Sequence, residues 1–587
     1  MMTRLIFVVC IAIGQLIPGD LLAQLPQSPE YLYARVDKDF YLAGEDIWYS
    51  LHVLNPSEQQ SAIVYVDFHG PNGELIDKQI LKLENQLAVG DISLPSDLRQ
   101  GYYMIRAYTA WNLNYSPQEI LEKEIPVYEA KLLSDGAELA DASASPDLLT
   151  VHPSEGLKIV TNKSSYLPRE PIDIDFVELA LSGGTASVSV SIVGTDFVEN
   201  EGRERLQKRL EEIRKKTRVK IAGGRQPVPP ETAYTRSFVL KNLETNELIN
   251  SNFVMGYIKQ TQQKLIQSAE NGIVSFTFED FYDSTIVQIF DTNPFHPTYI
   301  PDVSLISSFP SIQPARPNRS IPEMTAAVQK YIDGYQKRYQ LNKLFGLEGN
   351  IRAPQADKTS LSLTPTTIYR VDDFVQHESL ADFVKNVVPP IKVVKAKKNV
   401  ASVYASREGE TLRQFKLFVP NKDNRGTEGV VKKTPIILIN DYFTYDAESV
   451  LKMEWENVRQ IDVFNTAQSL PVQFGPIGNF GVIGIRTRDG KTPASLIQSA
   501  NNLVIPGFYQ ARTFGNQKTQ TSEYSQSKVP NFLPMMYWNP RVELNQNSPN
   551  QLTVIASDQP GSYLIRVEGV GKWGNLLIAE KVIQIGF

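Results

Sequence analysis

Among 587 residues there is a single cysteine, Cys10, and it lies in an apolar N-terminal stretch that reads as an export segment. The rest of the chain has no thiol, which excludes disulfides, zinc–thiolate sites, iron–sulfur clusters and cysteine nucleophiles together. Long apolar runs are also missing. Leu5 to Ile17 is about 13 residues, short of the roughly 20 that a membrane-spanning helix requires. There is no basic excess: 59 Lys and Arg against 65 Asp and Glu leave a net charge of −6, so the footprint of a dedicated nucleic-acid binder is lacking. Histidine is scarce, and His52, His69, His152, His296 and His377 are scattered without His-Glu-x-x-His spacing, which leaves a metalloprotease site unsupported. No serine sits in a Gly-x-Ser-x-Gly elbow. With 35 Gly and 37 Pro the chain matches folded proteins and is neither collagen-like nor of low complexity.

What is present begins with a secretory signal peptide over residues 1–23: Arg4, the apolar run, then Pro18-Gly19-Asp20-Leu21-Leu22-Ala23 with a small residue at the cut. The remainder has room for three to five domains at roughly 100–200 residues each. Over 24–135, short alternating strands such as Ile47–Val53, Ala62–Phe68 and Tyr102–Tyr108, separated by turns like Gly70-Pro71-Asn72-Gly73, predict a β-sandwich. A second β-sandwich block is expected at 148–200. Its Lys163, Tyr166 and Glu170 repeat the spacing of Lys38, Tyr41 and Glu45, which reads as two related sandwiches in tandem. Residues 201–218 form a charged stretch with Leu206, Leu210 and Ile213 at helical spacing, read as an exposed helix whose charges serve solvation. A third sandwich block is expected at 230–302.

Ser320-Ile321-Pro322-Glu323 has the form of a capping box and predicts that an amphipathic helix connector over 320–347 starts there, continuing through Val328, Tyr331, Ile332 and Tyr335. Over 366–490 the pattern turns mixed α/β. A helix is expected at Glu378–Val388, stopped by Pro389-Pro390, and strands at Val400–Tyr404, Leu412–Val419, Pro435–Ile439, Gln460–Phe464 and Gly481–Thr487. A C-terminal β-domain is expected at 499–587. The fold class is therefore multidomain and mainly β: tandem macroglobulin/Ig-like sandwiches, a small α/β domain and a C-terminal β-domain.

The run Arg35 to Tyr49, containing Lys38, Tyr41, Gly44 and Glu45, together with Gly101 to Trp111, resembles the macroglobulin-type β-sandwich of exported Bacteroidota envelope proteins. Pro435 to Asp441, Ile461-Asp462-Val463, Phe474-Gly475 and Gly481 to Gly490 resemble the plug domain of TonB-dependent outer-membrane receptors. Tyr537 to Pro540 and Tyr563 to Gly569 look like the closing β-domain that accompanies both. Plug domains usually carry Asp-Gly where this chain has Asn440-Asp441, residues that also tolerate positive φ. A receptor needs some twenty-two transmembrane strands of roughly ten residues, and about 97 residues follow Gly490, so a plug without its own barrel is expected. Macroglobulin inhibitors that trap proteases through a Cys–Gln thioester are a separate comparison, and the missing thiol excludes that chemistry here.

The remaining motifs read as structure. Gly569-Val570-Gly571-Lys572-Trp573-Gly574 fits G-x-G-x-x-G, but a strand follows where a dinucleotide site needs a helix, so a glycine-rich hairpin is expected. Gly475, Gly478, Gly481 and Gly484 lack the Lys and hydroxyl of a phosphate loop and read as close backbone approach. Asp372, Asp373 and Asp441 lack the alternating oxygen ligands of a calcium loop. No catalytic, cofactor-binding or metal residue is expected. The resemblance implies a non-enzymatic envelope scaffold or accessory subunit, periplasmic, outer-membrane-associated or at the cell surface. Its implied partner is an outer-membrane β-barrel protein or complex for secretion, assembly or nutrient uptake, with no nucleic acid and no cofactor. Two alternatives stay open: a glycan- or peptide-binding surface module, and a hydrolase with a noncontiguous site.

Overall fold

The computed structural model describes chiefly residues 28–129, 151–198, 204–215, 227–292, 301–306, 321–335, 363–395, 413–420, 430–497, 501–514 and 535–586. The expected signal peptide and the strand expected at Val400–Tyr404 lie outside the described residues, as do His152 and His296. The chain forms two compact units. One comprises residues 1–233, 309–354 and 508–587; the other comprises 234–308 and 355–507.

The first unit opens with a sandwich of eight strands: β1 (Leu32–Val36), β2 (Tyr41–Leu42), β3 (Asp46–Val53), β4 (Ile63–His69), β5 (Leu75–Lys82), β6 (Leu87–Ser93), β7 (Gly101–Tyr108) and β8 (Leu121–Tyr128). They form a β1-β3-β6 sheet and a β2-β8-β7-β4-β5 sheet. Inward side chains such as Tyr49, Leu51, Val66, Phe68, Ile105 and Val127 fill the space between them, as the alternation in the sequence predicts.

A second sandwich starts with β9 (Lys158–Thr161), β10 (Ser165–Tyr166), β11 (Pro171–Val177) and β12 (Thr185–Gly194). The chain then departs. Helix α1 (Glu204–Lys215) packs Leu210 with Tyr31, Leu54, Val570 and Leu576, while its charges pair along the helix as Arg209–Glu212 and Lys215–Glu211. The second unit follows with a third sandwich: β13 (Thr235–Asn242), β14 (Ser251–Ile258), β15 (Lys264–Ala269), β16 (Ile273–Thr277), β17 (Ser284–Asp291) and β18 (Pro301–Leu305).

Beyond a short strand β19 (Ile351–Arg352) in the first unit comes the α/β region of the second: β20 (Thr367–Arg370), α2 (Leu380–Val387), β21 (Ile391–Lys395), β22 (Arg413–Pro420), β23 (Val430–Lys433), β24 (Ile436–Ile439), β25 (Tyr442–Thr444), α3 (Ala447–Leu451), β26 (Val458–Phe464), α4 (Leu470–Phe474) and β27 (Val482–Thr487). Its main sheet has the order β20-β26-β27-β24-β25. The β24–β27 pair is parallel and the other pairs are antiparallel. Ser379 caps α2, its hydroxyl accepting the Asp382 N–H at 3.2 Å, and Leu380, Phe383 and Val384 face the core, matching the expected helix.

Strand β28 (Asn502–Pro506) returns to the third sandwich and pairs with β17, so the α/β region is inserted within that sandwich. Gln288 of β17 helps hold the two together. Its buried amide donates to the Phe443 carbonyl at 3.0 Å and accepts the Phe443 N–H at 2.9 Å, and Met255, Tyr257 and Phe290 join Phe443, Phe464 and Phe474 in one apolar cluster. Back in the first unit, β29 (Arg512–Thr513) precedes β30 (Met535–Asn545), β31 (Gln551–Ile555), β32 (Gly561–Val570) and β33 (Leu576–Ile585).

These last four strands complete the second sandwich, whose sheets run β9-β11-β31 and β10-β33-β32-β12-β30. Where sequence patterning predicts tandem sandwiches and a separate C-terminal domain, blocks 148–200 and 499–587 share one core that includes Ile172, Val190, Val554, Ile565 and Ile583. Residues 195–534 are inserted between its strands β12 and β30, which are hydrogen-bonded neighbours. The two sheet orders match strand for strand, β1 with β9, β2 with β10, β3 with β11, β6 with β31, β4 with β12, β5 with β30, β7 with β32 and β8 with β33. Each sandwich includes one parallel pair at the same place, Tyr41 opposite Val127 and Tyr166 opposite Ile585.

The helix expected to start at Ser320 starts later. Residues 321–325 are not helical, and Thr325 is the cap, its hydroxyl accepting the Val328 N–H at 3.2 Å. The carbonyls of Pro322 and Glu323 are instead taken by Gln100 and Tyr128. Val328, Tyr331 and Ile332 then bury against Phe40, Leu42, Trp48 and Trp538, so the tyrosine stripe serves packing at this point.

Candidate recognition surface

The α/β region carries the features that set it apart from the sandwiches. The turn after β24 places Asn440 at φ 51°, a conformation Asn tolerates better than most residues. Its amide donates to Thr487 Oγ1 at 3.0 Å and accepts the Thr487 N–H at 3.1 Å, while its own N–H donates to the Ile485 carbonyl at 2.9 Å. One side chain thereby stitches the turn to the end of β27, replacing contacts that a glycine turn would leave to backbone alone.

Beside this turn lies a recess of about 290 Å³ whose walls include Asn440, Asp441, Asp462, Phe464, Gly484 and Arg486. Asp462 is 2% exposed at its side chain, and its carboxylate accepts Arg486 Nε at 2.9 Å. The Arg486 side chain is 54% exposed, so the wall of the recess pairs an exposed cationic side chain with a buried acid. Packing at Gly484 is tight, because a Cβ would stand 3.0 Å from Asp462 Cβ and 3.2 Å from the Phe464 ring. Gly481 has φ 84°, and a Cβ there would lie 2.3 Å from Leu417 Cδ2. Gly478, Gly481 and Gly484 thus mark close approach, as expected, whereas a Cβ at Gly475 would meet only Met255 Sδ at 3.6 Å. Burial pushes the phenols of Tyr257 and Tyr442 up, with the Asp441 charge adding to the effect.

Among the described residues, strand β20 pairs with β26 on one side and ends the sheet on the other. Ile368 on it and Phe374 and Val375 just beyond are 45%, 41% and 80% exposed. Phe374 rests edge-on against Phe383, which packs with Trp455 and His377. Asp372 is clamped by both terminal nitrogens of Arg488, and Glu448 receives Arg413 through two guanidinium nitrogens, at 3.0 and 2.8 Å. The first pair ties the segment that presents the apolar side chains to the end of β27, and the second joins β22 to α3. Nothing in composition singled out Ile368, Phe374 or Val375; the only signal was their place before the Ser379 cap, in a stretch with no core-forming period.

Other motifs resolve into structure. His52 is buried beside Ser50 Oγ, and burial holds its imidazole down to about 4. His69 is buried near the Gly73 carbonyl. His377 contributes to the aromatic cluster above. Gly571 closes the β32–β33 hairpin by donating to the Asn575 carbonyl at 2.8 Å. Among the described residues, no group of three or more His, Cys, Asp or Glu is placed to hold a metal ion.

A buried charge network joins the first two sandwiches, and the sequence showed no sign of it. Arg35 of β1 donates to the Ser189 carbonyl and hydroxyl, both at 2.8 Å, and to Ser191 Oγ at 2.6 Å, with Glu568 3.5 Å away. Arg566 also contacts Glu568 and lies 3.7 Å from Glu580. Despite burial, these guanidinium groups hold the Glu568 carboxyl down to about 2, whereas burial lowers Arg35 itself to about 10.

No family model matches the chain, and no curated protein matches it. Among solved structures it is similar to trypsin-activated alpha-2-macroglobulin from Escherichia coli, with 10% identity and a TM-score of 0.24 over 96% of this chain and 42% of that one. It is also similar to Salmonella alpha-2-macroglobulin reacted with methylamine, with 10% identity and a TM-score of 0.23 over 96% and 40%. The Escherichia coli adhesin FdeC matches at 10% identity and a TM-score of 0.14 over 45% of this chain and 60% of that one. The chain thus spans about two fifths of the length of the alpha-2-macroglobulins it matches.

Proposed function

We propose that this chain is an exported, non-enzymatic scaffold or accessory subunit of the cell envelope, whose plug-like α/β region engages a separate outer-membrane β-barrel complex while the sandwiches position it. The observation that supports the reading is the exposure of Ile368, on strand β20 at the end of its sheet among the described residues, and of Phe374 and Val375 just beyond that strand. Exposed apolar groups favour contact with another protein over contact with water. The resemblance of the Pro435–Asp441 and Gly481–Gly490 stretches to receptor plugs supplies the class of partner, one serving secretion, assembly or nutrient uptake. Among the described residues, no helix is long and apolar enough to cross a membrane. The test is extraction of cell envelopes in mild detergent: the protein is expected to co-purify with an integral outer-membrane barrel, and recovery as a free monomer in the soluble fraction overturns the reading.

One observation favours a second reading, a glycan-binding module. A recess of about 640 Å³ on the third sandwich is lined by Asn250, Asn252, Phe253, Glu270 and Asn271, amide and carboxylate groups around an aromatic ring that is 52% exposed. Binding of purified polysaccharide in the absence of any partner protein distinguishes this reading from the first.

A further inference from the structure

The matched sandwiches carry the same side-chain clasp at the same place. In the first, Tyr41 donates its phenolic proton to Asp37 at 2.5 Å, the Lys38 N–H donates to Tyr41 Oη, and Glu45 accepts Lys38 Nζ at 2.8 Å and the Leu42 N–H at 2.9 Å. In the second, Tyr166 donates to Asn162 at 2.5 Å, the Lys163 N–H donates to Tyr166 Oη at 3.0 Å, and Glu170 accepts Lys163 Nζ and the Leu167 N–H. The surrounding backbone repeats too. Glu45 and Glu170 donate to the carbonyls of Leu42 and Leu167, and their own carbonyls accept from Leu94 and Ala556.

The two clasps differ in what covers them. Over the first, Tyr331 donates to Glu45 Oε1 at 2.5 Å and accepts from Lys38 Nζ at 3.2 Å, with the ammonium 5.4 Å from the center of its ring. Val328 and Ile332 flank it and pack in one cluster with Leu42. Leu42 is 0% exposed, and the side chains of Lys38 and Glu45 are each 11% exposed. At the second clasp, Leu167 is 60% exposed, Lys163 53% and Glu170 24%.

We propose that the Lys163–Leu167–Glu170 clasp is a docking socket for an amphipathic helix of a partner protein, one that presents a tyrosine with aliphatic residues three positions before it and one after. The tyrosine hydroxyl bridges Glu170 and Lys163, and the aliphatic pair covers Leu167, as Tyr331, Val328 and Ile332 do at the first clasp. Complementarity is both polar and apolar: a neutral hydroxyl donates to the carboxylate while accepting from the ammonium, and an exposed leucine is removed from water. The duplication alone carries this assignment, which is independent of how the α/β region is used.

The test uses a fluorescent, helix-stapled peptide of residues 325–335 added to the intact protein, stapling being needed because so short a helix does not persist in water. The peptide is expected to bind, with its affinity reduced at least about tenfold by Leu167→Asp and by the exchange Lys163→Glu with Glu170→Lys. A Tyr331→Phe peptide is expected to bind more weakly, and Lys215→Ala in the protein is expected to change nothing. Because Leu167 and Lys163 are exposed, the variants are expected to keep the parent melting temperature, which is measured alongside. Absence of binding, or binding that Leu167→Asp leaves unchanged in a folded protein, overturns the proposal.

Discussion

Tyr103 and Tyr563 occupy the same position in two sandwiches and make the same bond, each donating its phenolic proton at 2.9 Å to the carbonyl four residues upstream, Arg99 for one and Gln559 for the other. Both stand two residues after a glycine that opens a strand and three before an arginine. Arg106 and Arg566 in turn face cross-strand glutamates, Glu122 and Glu580. Such a tyrosine corner fixes the turn into its strand. Removing only the hydroxyl, by Tyr103→Phe or Tyr563→Phe, is expected to cost about 1 kcal/mol in either sandwich. Urea unfolding of the two variants checks this, and equal losses are expected.

A pair of glycines separates backbone freedom from steric need. Gly481 and Gly490 both have positive φ, 84° and 69°, but a Cβ at Gly481 would meet Leu417 whereas one at Gly490 would meet nothing within 4 Å. Gly490→Ala is expected to cost about 1 kcal/mol from conformation alone. Gly481→Ala is expected to cost about 2–4 kcal/mol, because overpacking is added to strain. Thermal melts of the two variants, read against the parent, check the difference.

The buried network predicts acid sensitivity. His52 lies at about 4, below its ordinary 6.5, and Glu568 at about 2, below 4.5. In each case the unfolded chain takes up the proton first as pH falls, so the contribution is complete above the ordinary value and is lost as pH drops through the folded one. Asp37 acts oppositely: burial raises it from 3.8 to about 6, so its contribution is lost as pH rises across that window. His52→Gln is expected to flatten the fall in melting temperature between pH 6.5 and 4, and Asp37→Asn to steepen it. A series of thermal melts over that range reads both effects.

Much of this architecture was legible where local pattern decides the outcome. The alternating strands of the first sandwich, the α2 helix with its Ser379 cap, and the spacing shared by Lys38-Tyr41-Glu45 and Lys163-Tyr166-Glu170 all follow from short-range chemistry. The join between blocks 148–200 and 499–587 was not, because pairs such as Val190 with Val567 are set by tertiary contact, which leaves no periodicity along the chain. A signal was nevertheless present: Gly101-x-Tyr103-x-Ile105-Arg106 recurs as Gly561-x-Tyr563-x-Ile565-Arg566. The start of the helix beyond its Thr325 cap is not legible in the sequence because Gln100 and Tyr128 engage the backbone ahead of it, a competition that a capping pattern does not show. Of the recognition surface, the glycines and the Asn440 turn could be read in advance, whereas exposure of Ile368, Phe374 and Val375 depends on which neighbours fail to cover them.

The proposed contact between the exposed apolar side chains of the α/β region and an outer-membrane barrel is best probed by a photo-crosslinking residue at position 375, illuminated in cells. Val375 is 80% exposed, so the substitution is expected to leave the fold intact, and the same residue at position 158, on an exposed part of the second sandwich, serves as the control. The predicted result is a covalent adduct with an integral outer-membrane barrel protein from position 375 and none from position 158. No barrel adduct from position 375, or the same adduct from both positions, would contradict the claim.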